Sequence, residues 1–185
     1  MEKERKQNIL KTAEKRFSRH GFNKTTLNEI ARDLRIGKTT IYHYFDTKEE
    51  LFYKTIEWQI DLYIDELRAI FVNDQQSMNE RLAEYFNFKT TIYLKFKLIY
   101  EILFYTMKEE VSEKEVLLVR VLFDKEIEFI KQFLPGKKDQ LNETAYTIVL
   151  RSWGEMFSNK IKSATNPDKI LAKDNIIRYI SSFNL

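Results

Sequence analysis

Residues 26–45 read TLNEIARDLRIGKTTIYHYF, and this stretch predicts two short amphipathic helices joined by a tight turn. Thr26 followed three residues later by Glu29 is a capping-box pattern, so the first helix is expected to begin at residue 27. Residues 35–37 leave room only for a turn, and residues 38–44 are expected to form the second helix. Apolar residues recur at helical spacing in the first half: Leu27, Ile30, Ala31 and Leu34. Two helices arranged in this way form a helix-turn-helix, whose second helix lies in the major groove of DNA.

The same stretch resembles the DNA-binding signature of the tetracycline-repressor (TetR) family, T-x-x-x-I-A-x-x-x-G-V-S-x-x-T-x-Y-x-Y-F-x-x-K-x-x-L. The resemblance covers residues 5–52, and order and spacing both agree at ten positions: Thr26, Ile30, Ala31, Ile36, Thr40, Tyr42, Tyr44, Phe45, Lys48 and Leu51. Two positions differ. Arg35 replaces the glycine of the turn, which is unfavourable if its φ is positive. Gly37 replaces the serine that caps the second helix and is a weaker N-cap.

The resemblance implies a DNA-binding transcriptional regulator, a ligand-responsive repressor that binds a palindromic operator as a homodimer. By their positions, we expect Lys38, Thr39 and His43 to lie nearest the base edges. The residues expected mainly to hold the phosphate backbone are Lys24, Thr26, Tyr42, Tyr44 and Lys48. Thr40 is also expected to belong to the DNA-binding surface that these residues form. Thr25 is expected both to cap a helix and to bind a phosphate.

The distribution of charge agrees with a DNA-binding N-terminal segment. The whole chain carries a net charge of +3, but residues 1–48 hold 12 Lys and Arg against 6 Asp and Glu. Residues 49–185 hold 19 Lys and Arg against 22 Asp and Glu, so the basic portion coincides with the helix-turn-helix. There is no cysteine, no apolar run of 18 residues and no apolar N-terminus. We therefore expect a cytoplasmic protein without disulfides and without a membrane partner.

The remaining pattern predicts an all-α chain of eight or nine helices, because no segment reads as a strand. A first helix over residues 3–20, ended by Gly21, completes a three-helix DNA-binding domain over residues 1–47. A helical ligand-binding and dimerisation domain is expected over residues 48–185. Its long first helix begins at Lys48 after a capping box. The later helices are expected at residues 77–108 (divided once), 113–134, 139–161 and 167–183.

The second domain is rich in aromatic residues at helical spacing. They can form a packed core, or they can line a pocket that contains a few polar groups, as small-molecule sites do. The tyrosine content favours the pocket, because each buried hydroxyl needs a partner. We therefore expect a small apolar or amphipathic ligand to bind among Tyr93, Phe96, Tyr100, Phe104, Phe123 and Trp153.

The helix expected at residues 139–161 is apolar around much of its circumference, so it must bury two faces. One face can serve its own domain and the other a second subunit, with Gly154 allowing close approach. Together with residues 167–183 it would form a four-helix contact between two chains, and the resemblance implies the same arrangement.

No pattern in the chain indicates catalysis. The two histidines are His20 and His43, and the chain has no HExxH, GxSxG, P-loop or GxGxxG motif and no Glu-x-x-His pair. We expect neither an enzyme nor a cofactor or metal. The alternative function is a helical DNA-bound module that recruits another protein without a small-molecule ligand.

Overall fold

The computed structural model describes residues 2–106 and 111–165, which form eight α-helices and, within these ranges, no strand. In chain order the helices are α1 (Glu2–Lys24), α2 (Leu27–Leu34), α3 (Lys38–Tyr42), α4 (Lys48–Phe71), α5 (Met78–Lys95), α6 (Lys97–Tyr105), α7 (Glu113–Lys131) and α8 (Lys138–Thr165). The all-α prediction is confirmed. The helix predicted at residues 167–183 lies outside the described residues. None of the described helices is long and apolar enough to span a bilayer.

Side-chain caps set the starts of four of the eight described helices. Before α2, the Glu29 amide donates to Thr26 Oγ1 (3.3 Å) and the Thr26 amide donates to Glu29 Oε2 (2.9 Å), so the predicted capping box is confirmed. The same reciprocal pairs precede α5 and α7: Ser77 with Glu80, and Ser112 with Glu115. Before α4 only half of the box forms, because the Glu50 carboxylate accepts from the amide of Asp46.

Several helix ends differ from the prediction. Gly21, with φ 76° and ψ 167°, interrupts α1 as expected, but helical structure resumes beyond it as far as Lys24. The second helix of the helix-turn-helix stops at Tyr42, two residues early, since the Tyr44 amide bonds to the carbonyl of Ile41 in a tighter turn. The end of α7 tightens in the same way, because the Gln132 amide bonds to the Phe129 carbonyl (3.2 Å).

The chain divides into two compact units. The first unit contains residues 1–62 and 96–118, and the second contains residues 63–95 and 119–185. Helix α4 therefore contributes to both. The boundary at residue 47 that the sequence predicts is a functional division and stays a prediction. In the first unit α1 packs on α2 and α6, and in the second unit α5 packs on α8.

The core of the first unit explains why α2 and α3 hold their positions. Phe17 is fully buried and its ring lies 5.1 Å from that of Phe52, which in turn lies 5.0 Å from Phe22. Full burial of one such side chain stabilises the fold by about 1.5–3 kcal/mol. Apolar side chains that are buried or nearly buried come from α1, α2, α3 and α4: Ile9, Ala13, Leu27, Ile30, Ala31, Ile41 and Leu51. This core fixes one face of α3 and leaves the other exposed.

The turn between α2 and α3 places Arg35 in the left-handed conformation, with φ 55° and ψ 41°. Its amide donates to the Arg32 carbonyl (3.1 Å), and the Ile36 amide donates to the Ala31 carbonyl (3.0 Å). These two bonds form the Schellman arrangement, in which the left-handed residue is usually glycine. The strain that the sequence suggested at Arg35 is therefore present.

Candidate DNA-binding surface and a buried charge cluster

The outer face of α3 carries the side chains that the sequence assigns to DNA. Ile41 is fully buried and anchors the helix. Lys38, Thr39, Tyr42 and His43 are exposed, and Thr40 is half-buried. A short helix held by one buried side chain, with polar groups facing outward, has the form needed to enter a major groove.

A surface depression of about 480 Å³ joins this face to the N-termini of α2 and α4. Its lining includes five of the ten residues predicted to contact DNA: Thr25, Thr26, Lys38, Tyr42 and Lys48. Amides in the first turn of a helix lack intrahelical acceptors and can bind an anion. The depression therefore combines two helix N-termini and two lysines, which can bind a phosphate, with the carboxylates of Asp46 and Glu49.

Thr25 is placed differently from the expectation. It is only 1% exposed, and its hydroxyl donates to the Gly21 carbonyl at 2.8 Å. The hydroxyl therefore closes the end of α1 and does not face solvent. Thr26, in contrast, is exposed, and its side chain and amide both serve the capping box with Glu29.

Lys48 has a structural role that the sequence does not reveal. Its ammonium donates to the Phe22 carbonyl (3.1 Å) and lies 4.1 Å from the centre of the Phe22 ring. An ammonium has three donors, so one such bond leaves others for a phosphate. Lys38 makes a similar contact 5.2 Å from the Tyr42 ring, which orders the first turn of α3.

A charged contact ties α1 to α2. The Arg16 guanidinium forms a forked pair with Asp33 (2.5 and 2.6 Å) and lies 3.6 Å from Glu29. Hydrogen bonds from Arg16 lower the pKa of Asp33, and the bonds from Thr26 lower the pKa of Glu29. Both acids of α2 are thereby compensated, which limits their repulsion of a DNA backbone.

The second unit contains a buried cluster around the carboxylate of Glu126, on α7. Glu126 Oε1 accepts a hydrogen bond from the Tyr63 hydroxyl of α4 and another, at 2.7 Å, from the Tyr85 hydroxyl of α5. Glu126 Oε2 accepts from Trp153 Nε1 of α8 at 2.8 Å. Glu126 is fully buried, and the residues that surround it are almost completely buried. The carboxylate therefore binds four helices of one compact unit.

The positive charge of the cluster is Lys89 of α5, which is also fully buried. Its ammonium lies 2.5 Å from Glu126 Oε1, but the contact lacks hydrogen-bond geometry, and the nitrogen has no other oxygen or nitrogen partner among the described residues. Its other neighbours are ring faces. The ring centres of Trp153, Tyr63 and Tyr85 lie at 3.4, 5.0 and 5.3 Å. Burial lowers the pKa of Lys89 to about 7, against the opposing effect of Glu126.

The sequence analysis missed this cluster, although a signal was present. Lys89 interrupts the apolar stripe of α5 between Phe86 and Ile92, and Glu126 interrupts the stripe of α7 between Leu122 and Phe129. A single charge inside each of two apolar stripes, with opposite signs, indicates a buried pair once the helices are known to meet.

The six residues predicted to bind a ligand are divided between the two units. The first unit contains Phe96, Tyr100 and Phe104; Phe104 is 41% exposed, and its ring lies 4.7 Å from that of Tyr100. The second unit contains the other three: Tyr93, Phe123 and Trp153. Only Trp153 lies against Lys89, with the Phe123 ring 6.0 Å behind it. A single ligand site made of all six residues stays a prediction.

Comparison with known proteins finds matches to the N-terminal segment that contains the helix-turn-helix. Residues 9–54 match the family described as bacterial regulatory proteins, tetR family. An HTH-type transcriptional regulator of Staphylococcus aureus (strain USA300) is 35% identical over 68 residues, which are 37% of this chain and 37% of that protein. The chain thus spans 37% of the length of the curated relatives it matches.

Solved structures resemble the chain over nearly its whole length. A TetR transcriptional regulator from Legionella pneumophila has a TM-score of 0.65 at 20% identity and covers 95% of both chains. Reduced NemR of Escherichia coli has a TM-score of 0.69 at 16% identity, over 96% of this chain and 95% of that one. GusR of Salmonella enterica has a TM-score of 0.68 at 18% identity, over 96% of this chain and 93% of that one. At these identities the likeness establishes the fold.

The matched segment contains α2 and α3, the two helices that build the exposed surface described above, and the fold of the chain agrees with it. Residues 9–54 are therefore similar to the tetR family of bacterial regulatory proteins, and the fold of the chain resembles that of TetR regulators of known structure.

Proposed function

We propose that the protein is a ligand-responsive transcriptional repressor that binds a palindromic operator as a homodimer. The observation that carries the proposal is the arrangement of α3, which is anchored inward by Ile41 and presents Lys38, Thr39 and His43 outward. Phosphate-binding groups lie beside them in the depression formed with α2 and α4. Base edges and phosphates can then be contacted together, as sequence-specific binding requires.

The second part of the proposal is the dimer. The inner face of α8 is buried, whereas Tyr146 is 51% exposed and Leu150 is 42% exposed on the outer face. Gly154 follows four residues later with no side chain or backbone within 4 Å of the position that a Cβ would occupy. An outer apolar stripe ending at a glycine supports close packing against the α8 of a second copy. Two recognition helices would then lie about 34–36 Å apart, one turn of DNA.

The third part is the response to a ligand. Two solved structures of the same fold contain ligands, namely FadR from Bacillus subtilis with stearoyl-CoA (TM-score 0.64) and a regulator from Saccharomonospora viridis with choline (0.64). In this chain α4 runs from the helix-turn-helix to Tyr63, which bonds to Glu126. A ligand that rearranges the contacts of Glu126 would act directly on α4. It can shift DNA binding only by its differential affinity for the two arrangements.

The DNA-binding step can be tested without a known operator. Duplexes selected from a random library by the purified protein should share a palindrome, and affinity should be measured for a selected and a scrambled duplex at several salt concentrations. His43→Ala should change the selected sequence. Lys24→Ala should weaken both duplexes equally and reduce the salt slope by about one unit per half-site.

Lys11→Ala is the matched control, because Lys11 is an exposed lysine of α1 to which the sequence assigns no contact with DNA. It should change the salt slope less than Lys24→Ala does. Lys48→Ala is a poorer test, because it also removes the bond to Phe22. Selection of duplexes without any common sequence would contradict the proposed function.

A further inference from the structure

The surroundings of Lys89 form a cage for a cation. The rings of Trp153, Tyr63 and Tyr85 lie within 5.3 Å of its nitrogen, and Glu126 supplies one negative charge. Positive charge over the faces of tryptophan and tyrosine is attracted by their ring quadrupoles, and aromatic cages of this type bind quaternary ammonium groups. In this protein the occupant is a side chain of the protein itself.

A lysine ammonium is a poor occupant of such a cage. It is compact and strongly hydrated, and it carries three N–H donors that need acceptors. Glu126 Oε1 already accepts from Tyr63 and Tyr85, and the lysine contact lacks hydrogen-bond geometry. Apart from this ion pair, the contacts of the ammonium among the described residues are with ring faces. A methylated ammonium has no N–H donors, so entering the same cage would leave no donor unsatisfied.

Lys89 can also lose its proton inside the cage. Burial lowers the pKa of Lys89 to about 7, so its amine is partly neutral at neutral pH. The other groups that face it are Glu126 from α7, Tyr63 from α4, Tyr85 from α5 and Trp153 from α8, with Ser152 bonded to Tyr85. Burial and Glu126 both raise the pKa of the two tyrosines, which remain neutral. When Lys89 is neutral, the cage carries the uncompensated charge of Glu126.

We infer that the Trp153–Tyr63–Tyr85–Glu126 cage is a ligand site for a small organic cation of the quaternary ammonium class, and that Lys89 is a tethered competitor which this cation displaces. The effect of the cation on DNA binding rests on the proposed function, because the cation would act on α4 through Tyr63. The binding itself does not depend on DNA.

The test uses tetramethylammonium as the probe and Trp153 as the reporter. The chain has two tryptophans, so Trp58→Phe leaves the cage residue as the sole tryptophan, which can be excited selectively at wavelengths longer than those that tyrosine absorbs. Titration should give saturable quenching and matching calorimetric binding, whereas tert-butanol, a neutral molecule of similar size, should give neither. A displaced Lys89 regains its ordinary pKa of 10.5, so displacement takes up a proton above pH 7, and binding should weaken about 25-fold between pH 6.5 and 8.5.

Lys89→Met removes the competitor while keeping a side chain of similar length. In this variant the pH dependence should disappear, and tetramethylammonium should bind at least as tightly as it does to the parent at pH 6.5. The double variant Lys89→Met, Glu126→Gln should bind tetramethylammonium about tenfold or more weakly than Lys89→Met does. If Lys89→Met does not fold, the pH profile of the parent decides alone.

Absence of saturable binding, or binding that is equally tight at both pH values in the parent, would overturn the inference. Failure of the proposed function gives a different result. If DNA is bound selectively and the cation is not, the cage inference falls and the regulator stands. If the cation binds with the expected pH dependence but DNA affinity is unchanged, the cage stands and the ligand response falls.

Discussion

Single residues in this protein carry roles that differ from those their type suggests. Thr25, which the sequence assigns to phosphate, is buried and closes α1 through its hydroxyl. Lys48, also assigned to phosphate, holds the Phe22 carbonyl. Lys89 is a charge inside the core. Thr25 bonds to a carbonyl only four residues away, whereas Lys48 and Lys89 contact partners that are distant in sequence, which a local sequence pattern does not reveal.

The first prediction at this scale concerns the pH dependence of stability. In the folded protein the pKa of Lys89 is about 7, whereas in the unfolded chain it returns to its ordinary value of 10.5. Between these values unfolding takes up a proton, so the penalty for burying the ammonium is full below pH 7 and is relieved as pH rises. Urea denaturation should therefore show the free energy of unfolding rising between pH 7 and 9, by at most about 1.4 kcal/mol per unit.

Lys89→Met is the control, because it removes this titration and leaves the other groups unchanged. The difference in unfolding free energy between the parent and the variant should shift in favour of the parent as pH rises. Measurements should stay below pH 9.5, since the pKa of Tyr63 and Tyr85 is raised in the folded state and their titration in the unfolded chain reverses the trend. An identical pH dependence in both proteins would contradict the assignment.

At the scale of helices and turns, local chemistry predicts where helices begin better than where they end. The starts of α2, α5 and α7 follow from capping boxes, in which a side chain bonds to an amide three residues away. That information is local, so the sequence contains it. The ends of α3 and α7 depend on tighter final turns, which carry no comparable side-chain signal. The Lys89–Glu126 pair lies on two helices, so it became visible only when the helices were placed.

The turn between α2 and α3 gives the second prediction. Arg35 holds a left-handed conformation that costs a residue with a Cβ about 1–2 kcal/mol. Glycine adopts it without strain but loses more chain entropy, by roughly 0.5–1 kcal/mol. Arg35→Gly should therefore stabilise the protein by about 0.5–1 kcal/mol, measured by thermal or urea unfolding.

Arg35→Ala separates backbone strain from the loss of charge. It removes the guanidinium but keeps the Cβ, so it should not gain this stability. If alanine and glycine stabilise the protein equally, electrostatics at Arg35 and not its φ would explain the gain. A more stable turn should also leave the outward face of α3 unchanged, because Ile41 fixes that face from within.

At the scale of the whole molecule, the outer face of α8 carries exposed apolar side chains that the contacts of the described residues do not explain. The inner face is buried by Ala145, Ile148, Val149, Trp153 and Met156. Tyr146 and Leu150 nevertheless lie exposed on the opposite side, in line with Gly154. The sequence predicts two buried faces for this helix, and among the described residues only the first is buried. Residues 167–183, the other half of the predicted contact, lie outside the described residues.

The last prediction tests the second face directly. Leu150→Asp places a charge in the centre of the outer stripe without touching the inner core, so the variant should keep its helical circular dichroism and its unfolding cooperativity. If the stripe packs against a second copy, a buried unpaired carboxylate there is strongly unfavourable, and sedimentation should show monomers where the parent sediments as a dimer. Operator affinity should fall steeply, because a monomer contacts one half-site. Thr144→Asp, a change on the same helix but about 120° around it from Leu150, should leave the dimer intact. Sedimentation of the parent as a monomer at micromolar concentration, or equal behaviour of both aspartate variants, would remove α8 as the dimer interface.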